Sequence, residues 1–245
     1  MRKWDLIELV RKQEEQLERM APEFRQLTYM ALAESSLELA GMTFGASSED
    51  WKNLIVKSCN NFLCGLKYKQ TPLASRFPNG KIKVNDTVMN PRRAFRALSL
   101  SCLSNNKEQA EQIAALIWDP PFAEYIGLTD VCTQDEQRVA HAFRDLILKN
   151  LDKGTLREDL ASIPDNRSGA SLHKAILEAI AERDLNAFEG AIKELVELGY
   201  DESIYGNRTL FKFHVSGLIS LGKEFGKLQT DYLINTHYLP RFSES

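Results

Sequence analysis

Residues 171–199 read SLHKAILEAIAERDLNAFEGAIKELVELG, and this stretch decides the fold. Leu172, Ile176, Ala179 and Ile180 recur at helical spacing in its first half, and Phe188, Ala191, Ile192, Leu195 and Val196 do so in its second. Between them Glu182-Arg183-Asp184 forms a short polar break. Asp184 is placed to accept backbone N–H bonds as the N-cap of the second helix, and Gly199 is suited to end it in the left-handed conformation. The stretch is therefore a helical hairpin with one apolar side per arm. Such a hairpin cannot bury both stripes alone and must pack on others like it.

The rest of the chain supplies them. Pro91 opens a helix over 91–104, favourable at the first helical position, and this helix pairs with 107–118 across Ser104-Asn105-Asn106. Asn106 with Gln109 makes a capping-box arrangement. At an offset of 78 residues Ala97 falls on Ala175, Leu98 on Ile176, Cys102 on Ile180, Ala114 on Ile192 and Ile117 on Leu195, so one supersecondary unit is used twice. The polar breaks are unevenly spaced, which excludes a fixed-period repeat array. Thr133 with Glu136 caps a further helix over 134–150 carrying Val139, Phe143, Leu146 and Ile147.

Towards the N-terminus three helices are expected. Residues 2–20 place Leu6, Leu9, Val10, Leu17 and Met20 on one side and end at Ala21-Pro22. A more apolar helix follows over 22–40 and stops near Gly41, and a third runs from Ser48 to Gly65 with Trp51, Leu54, Ile55, Phe62 and Leu63 inward. At the other end, helices over 208–222 and 224–237 contain Gly217, Gly222 and Gly226, which cost about 1 kcal/mol each against Ala in a helix interior. Close backbone packing, or a break near Gly222, would account for them.

Residues 67–90 differ from their surroundings. Pro72, Pro78 and Asn79-Gly80 interrupt them, Lys81-Ile82-Lys83-Val84 alternates, and Asn-Gly is a hairpin turn signal, so a short β-hairpin or a long irregular loop is expected. The expected fold is all-α: a multi-helix stack of antiparallel helical hairpins in one domain over 1–245, with an N-terminal helical portion at about 1–64 and a hairpin-stack portion at about 91–242.

At 245 residues the chain is long enough to bury a real core without staples. Its hydrophobic fraction of 43% and charged fraction of 27% exclude disordered and collagen-like classes. No apolar window is long enough for a membrane span, and the charged N-terminus is unlike a signal peptide, which together imply a cytoplasmic protein without membrane contact. Cys59, Cys64, Cys102 and Cys132 are then expected as reduced thiols.

No catalytic signature is present: there is no G-x-S-x-G, P-loop, G-x-G-x-x-G or H-E-x-x-H. His141, His173, His214 and His237 fall on different elements without a second ligand at metal spacing and read as ordinary partly buried or surface histidines. Neither a metal nor a cofactor is implied.

Charge is uneven. Residues 65–97 carry eight basic side chains against one acidic, while 98–205 carry ten against twenty. The basic stretch Lys67–Arg96, with Tyr68 and Phe77 within it, could contact phosphates through Arg92, Arg93 and Arg96, but the acidic segment and a pI near 5.9 argue against nucleic acid. These cations could instead meet acids of the chain's own second half. The acidic connections at 119–136 and 200–206 suit a protein that offers carboxylates to a basic cleft. Their candidate contact residues are Asp119, Glu124, Tyr125, Asp130, Asp135, Glu136, Asp201, Glu202 and Tyr205, with the two tyrosines as anchors.

Three runs, RAFRALSLSCLSNNKEQAEQIAAL at 93–116, the hairpin at 171–197 and LFKFHVSGLISLGKEFGKL at 210–228, followed by the closing YLINTHYLP, resemble the immunity protein 49 family of bacterial polymorphic toxin systems. The likeness covers most of residues 50–242 and rests on element order, the polar hairpin turns and the aromatic-Leu-Pro ending. It implies a non-enzymatic helical protein that binds and occludes a cognate toxin domain, such as a nuclease or another enzyme with a basic cleft. A helical-repeat scaffold for a peptide or protein, and a nucleic-acid binder, are the alternatives.

Overall fold

A computed structural model describes residues 3–22, 25–43, 48–67, 74–76, 82–84, 91–104, 106–117, 134–148, 156–166 apart from 157 and 159, 168–198 and 213–230. These form nine helices and one short strand pair: α1 (Lys3–Arg19), α2 (Arg25–Thr43), α3 (Ser48–Lys67), β1 (Ala74–Arg76), β2 (Ile82–Val84), α4 (Pro91–Leu103), α5 (Lys107–Leu116), α6 (Gln134–Leu148), α7 (Gly169–Glu182), α8 (Leu185–Glu197) and α9 (Phe213–Glu224). The fold is all-α, with β1 and β2 pairing antiparallel (Ala74 opposite Val84, Arg76 opposite Ile82) between α3 and α4. The Asn79-Gly80 turn lies outside the described residues.

Helix α2 is packed between α1 and α3, which is why its sequence is apolar nearly all round: Leu32, Ala33, Leu37, Leu39 and Ala40 are buried, and so is Ser36. Facing it, α3 presents Trp51, Ile55, Cys59, Phe62 and Leu66, a stripe at three- and four-residue steps. The backbones come close where the Ser58 hydroxyl donates to the Ala33 carbonyl at 2.8 Å. Helix α4 carries the core onward, touching α3, α5, α6 and α9, while α7 packs on α6 and α8. Phe95, Leu98, Phe143, Ile176, Leu177, Phe188, Leu195 and Leu218 fill the space between these helices.

Local chemistry sets the boundaries. Asn106 accepts from the Gln109 N–H at 3.0 Å and caps α5, but the Gln109 side chain reaches Asn60 at 2.6 Å instead of returning to Asn106, so half of the expected capping box forms. Asp184 caps α8 through the Ala187 N–H at 3.0 Å, as its position in the hairpin turn predicts. The turn itself is a Schellman motif, with Asp184 N–H on the Ala179 carbonyl and Arg183 N–H on that of Ile180. Arg183 takes the left-handed conformation there, φ 59°. Gly199 lies outside the described residues.

Two boundaries differ from those read in the sequence. Helix α2 continues through Gly41 to Thr43, whose hydroxyl turns back to the carbonyls of Leu39 and Ala40 and satisfies the last turn. Helix α9 continues through Gly222 to Glu224. The helix expected from 224 is absent over 225–230, because Lys227 adopts φ 58° and the Leu228 N–H bonds the Gly222 carbonyl, turning the chain back onto α9. The expected close packing of glycines is found: a Cβ on Gly226 would lie 2.8 Å from Ile180 Cγ2.

Candidate functional site

The feature that stands out chemically is polar and lies inside the core. His173 sits on α7 among Leu172, Ile176, Leu177 and Ile180, and His214 on α9 one turn before Leu218. Helical periodicity turns both rings inward, where they are essentially inaccessible to water. They meet Nε2 to Nε2. The Nδ1 of His173 bonds the carbonyl of Gly169, one turn back on the same helix, and the Nδ1 of His214 lies 2.7 Å from the Ser99 hydroxyl of α4. Phe95, one turn before Ser99, stacks on His173 with centroids 5.1 Å apart and meets His214 edge-on at 5.8 Å. Three helices distant in sequence thus converge on one polar cluster.

These bonds have a single consistent direction. A carbonyl can only accept, so His173 carries its hydrogen on Nδ1. The Nε2 of the neutral ring is then bare, and His214 Nε2 donates across the pair. His214 Nδ1 is bare in turn and accepts from Ser99. Hydrogens run from Ser99 through His214 and His173 to Gly169, with both rings neutral. Burial pushes His173 down to about 4, against the opposing pull of the Gly169 bond. Burial foremost, then His173 and the Arg96 guanidinium, hold His214 well below the ordinary histidine range.

A serine donating to an imidazole that donates to a third group has the polarity of an activated nucleophile. Here, however, the Ser99 hydroxyl is sealed in the core together with both rings, so an electrophile has no approach to it. A metal between the rings would find two nitrogen ligands where a structural zinc takes four. Among the described residues no group of three or more His, Cys, Asp or Glu could hold a metal ion.

The cluster corrects the reading of His173 and His214 as ordinary partly buried or surface histidines. Each lies on the inward stripe of its own helix, 41 residues apart, and that placement was the available signal. A buried imidazole has two nitrogens to satisfy, which requires a polar partner from another helix. His141 is half-buried on α6, and His237 lies outside the described residues.

Of the candidate contact residues, Asp135 and Glu136 occupy the first turn of α6, half-buried, where negative charge suits the helix terminus. Asp135 also receives Arg138 at 3.3 Å. Asp119, Glu124, Tyr125, Asp130, Asp201, Glu202 and Tyr205 lie outside the described residues. Within the basic stretch, Arg96 turns inward and meets Glu34 of α2 at 2.7 Å, with side-chain exposures of 19% and 25%. Its acidic partner therefore comes from the first part of the chain, where a second-half acid was expected, and Arg96 is not available to a phosphate backbone as an exposed cation. The side chains of Arg92 and Arg93 lie outside the described set.

Val196, read in the sequence as part of the apolar stripe of the second hairpin arm, is exposed instead: the inward line runs through Phe188, Ala191, Ile192 and Leu195, and Val196 stands about 100° round the helix from Leu195. Val196 and Leu198, 38% and 50% exposed, close α8 between the exposed Glu194 and Glu197. Trp4 on α1 is 77% exposed. No described helix is long and apolar enough to cross a membrane.

Comparison with known proteins returns no matching family model, no matching curated protein and no matching solved structure.

Proposed function

We propose that this chain is an immunity protein, a cytoplasmic helical module that docks on the active site of a cognate bacterial toxin domain and keeps substrate out. The observation that carries the reading is the end of α8, where exposed Val196 and Leu198 are flanked by exposed Glu194 and Glu197 just before the acidic segment holding Asp201, Glu202 and Tyr205. An apolar centre with a charged rim is the anatomy of a protein contact. Its acidic sign favours a partner with a basic cleft, such as a nuclease, and speeds the encounter by electrostatic steering. The resemblance of the runs at 93–116, 171–197 and 210–228 to the immunity protein 49 family points the same way.

Coexpression with the toxin encoded beside it tests the reading. Growth should be rescued and a complex should survive gel filtration, and replacing Val196 and Leu198 together with Asp should abolish both while leaving the helical circular dichroism intact. Absence of rescue by the unaltered chain, or rescue without any complex, would overturn the proposal.

A further inference from the structure

The histidine cluster joins α4, α7 and α9, and its bonding scheme holds only while both rings are neutral. A proton added at His173 Nε2 would set two N–H groups against each other across the pair. A proton added at His214 Nδ1 would force the Ser99 hydroxyl to reverse and place a cation in the field of Arg96. Neither arrangement can be relieved by water, since Ser99, His173 and His214 are all buried.

The elements around the pair supply little to offset an added charge. From α4 comes Arg96, of like sign and bonded to Glu34 of α2. Helix α6, packed on both α4 and α7, carries the half-buried His141 and the buried Arg144, whose Nε donates to Asp145 at 2.7 Å. On α7 the neighbouring Lys174 reaches the Ile163 carbonyl at 3.3 Å. Helix α8 buries apolar residues, Phe188, Ala191, Ile192 and Leu195. Lys223 and Glu224 close the far end of α9, about 14 Å along the helix from His214.

We propose that the Ser99–His214–His173–Gly169 chain of hydrogen bonds is an acid-sensitive latch on the α4–α7–α9 junction. It fastens α9 to the hairpin stack near neutrality, and protons entering the pair on acidification open this side of the molecule ahead of α1–α3. The bias towards one side follows from where the groups lie. All four belong to α4, α7 and α9, whereas α1–α3 are tied by their own apolar contacts and by the Ser58–Ala33 bond. Once opened, each ring recovers an ordinary proton affinity, so acid draws the equilibrium towards the open form by mass action.

Two measurements on the unaltered full chain test this. Hydrogen exchange, corrected for the intrinsic rate at each pH, should show the opening constant of α4, α7 and α9 amides rising as pH falls below 6.5, by about fivefold for one proton to about thirtyfold for two over the first pH unit. Amides of α2 and α3 should lag behind. Imidazole nitrogen resonances at about pH 5.5 should show two neutral rings, with hydrogen on Nδ1 of His173 and on Nε2 of His214. The proposal is overturned by opening that is independent of pH, by α2 and α3 opening in step with the junction, or by a charged ring or the opposite tautomers.

Discussion

A methyl group on Gly217 would lie 2.3 Å from the carbonyl oxygen of Ser99. Helix α9 therefore crosses α4 backbone to backbone, and the crossing point is the same residue whose hydroxyl meets His214 one turn away. The close approach lets the hydroxyl reach a ring that stands on the other helix. Gly217 is in this sense part of the histidine cluster.

Substituting Gly217 tests that arrangement. Gly217→Ala should destabilise by about 3 kcal/mol or prevent folding, because the obstacle is backbone that cannot step aside. Gly190→Ala, where nothing lies within 4 Å of the added carbon, should instead stabilise by about 0.5–1 kcal/mol through better helix propensity. Urea unfolding of the two variants gives both signs.

Removing the Ser99 hydroxyl leaves a buried ring nitrogen without its donor. Ser99→Ala should cost about 1–3 kcal/mol, the cost of an unmet buried acceptor. It should also shift the His214 Nδ1 resonance while changing the α2–α3 amide spectrum little. A loss below about 0.3 kcal/mol would mean that the bond contributes nothing net.

Stability should fall on acidification. Because the folded-state affinity of His173 for a proton is lowered, the unfolded chain binds protons first. Its contribution is complete above about pH 6.5 and is lost progressively as pH falls towards about 4. The two ends of that window correspond to about 3 kcal/mol for this ring, and His214 adds in the same direction. Thermal midpoints measured from pH 7.5 down to 4.5 should therefore decline, with the steeper fall below about pH 6.5. A flat profile would contradict neutral buried rings.

The Arg96–Glu34 pair links α4 to α2 in a partly buried setting. Arg96→Met should cost about 1–3 kcal/mol, and the Glu34→Gln, Arg96→Met double-mutant cycle should give a coupling that survives 1 M salt, because partly buried pairs are screened less. The exposed Arg11 network with Glu8 and Glu15 on α1 should show a coupling that salt abolishes.

Thiol labelling should separate the described cysteines. Burial pushes the Cys59 thiol up to about 12 and raises Cys102 in the same direction; burial raises Cys64 too, but this thiol is only half-buried and the nearby Lys67 opposes the rise. Peptide mapping after brief alkylation of the native protein should find Cys64 modified well before Cys59 and Cys102. Equal rates would show that α3 and α4 open readily.

The hairpin at 171–199 was legible because its two apolar stripes, polar break and Asp184 cap all agree, and the apolar pattern of α3 placed Trp51, Ile55 and Phe62 correctly. What periodicity could not convey was register between helices. Nothing local to Ser99, His173 or His214 says that they meet, since Ser99 and His214 are separated by 115 residues. The boundaries that slipped did so for a related reason. Gly41 does not stop α2 because the Thr43 hydroxyl donates to the carbonyls of the last turn, and Arg183 and Lys227 adopt a left-handed conformation usually left to glycine.

The separation of Ser99 from His214 also constrains synthesis. A ribosome delivers α4 long before α9, and for that interval the Ser99 shelf, the imidazole of His173 and the Phe95 ring beside them stand open to solvent or to stray hydrophobic company. Completion of this junction waits on the arrival of α9, so nascent chains halted before residue 213 should be the species that chaperones hold.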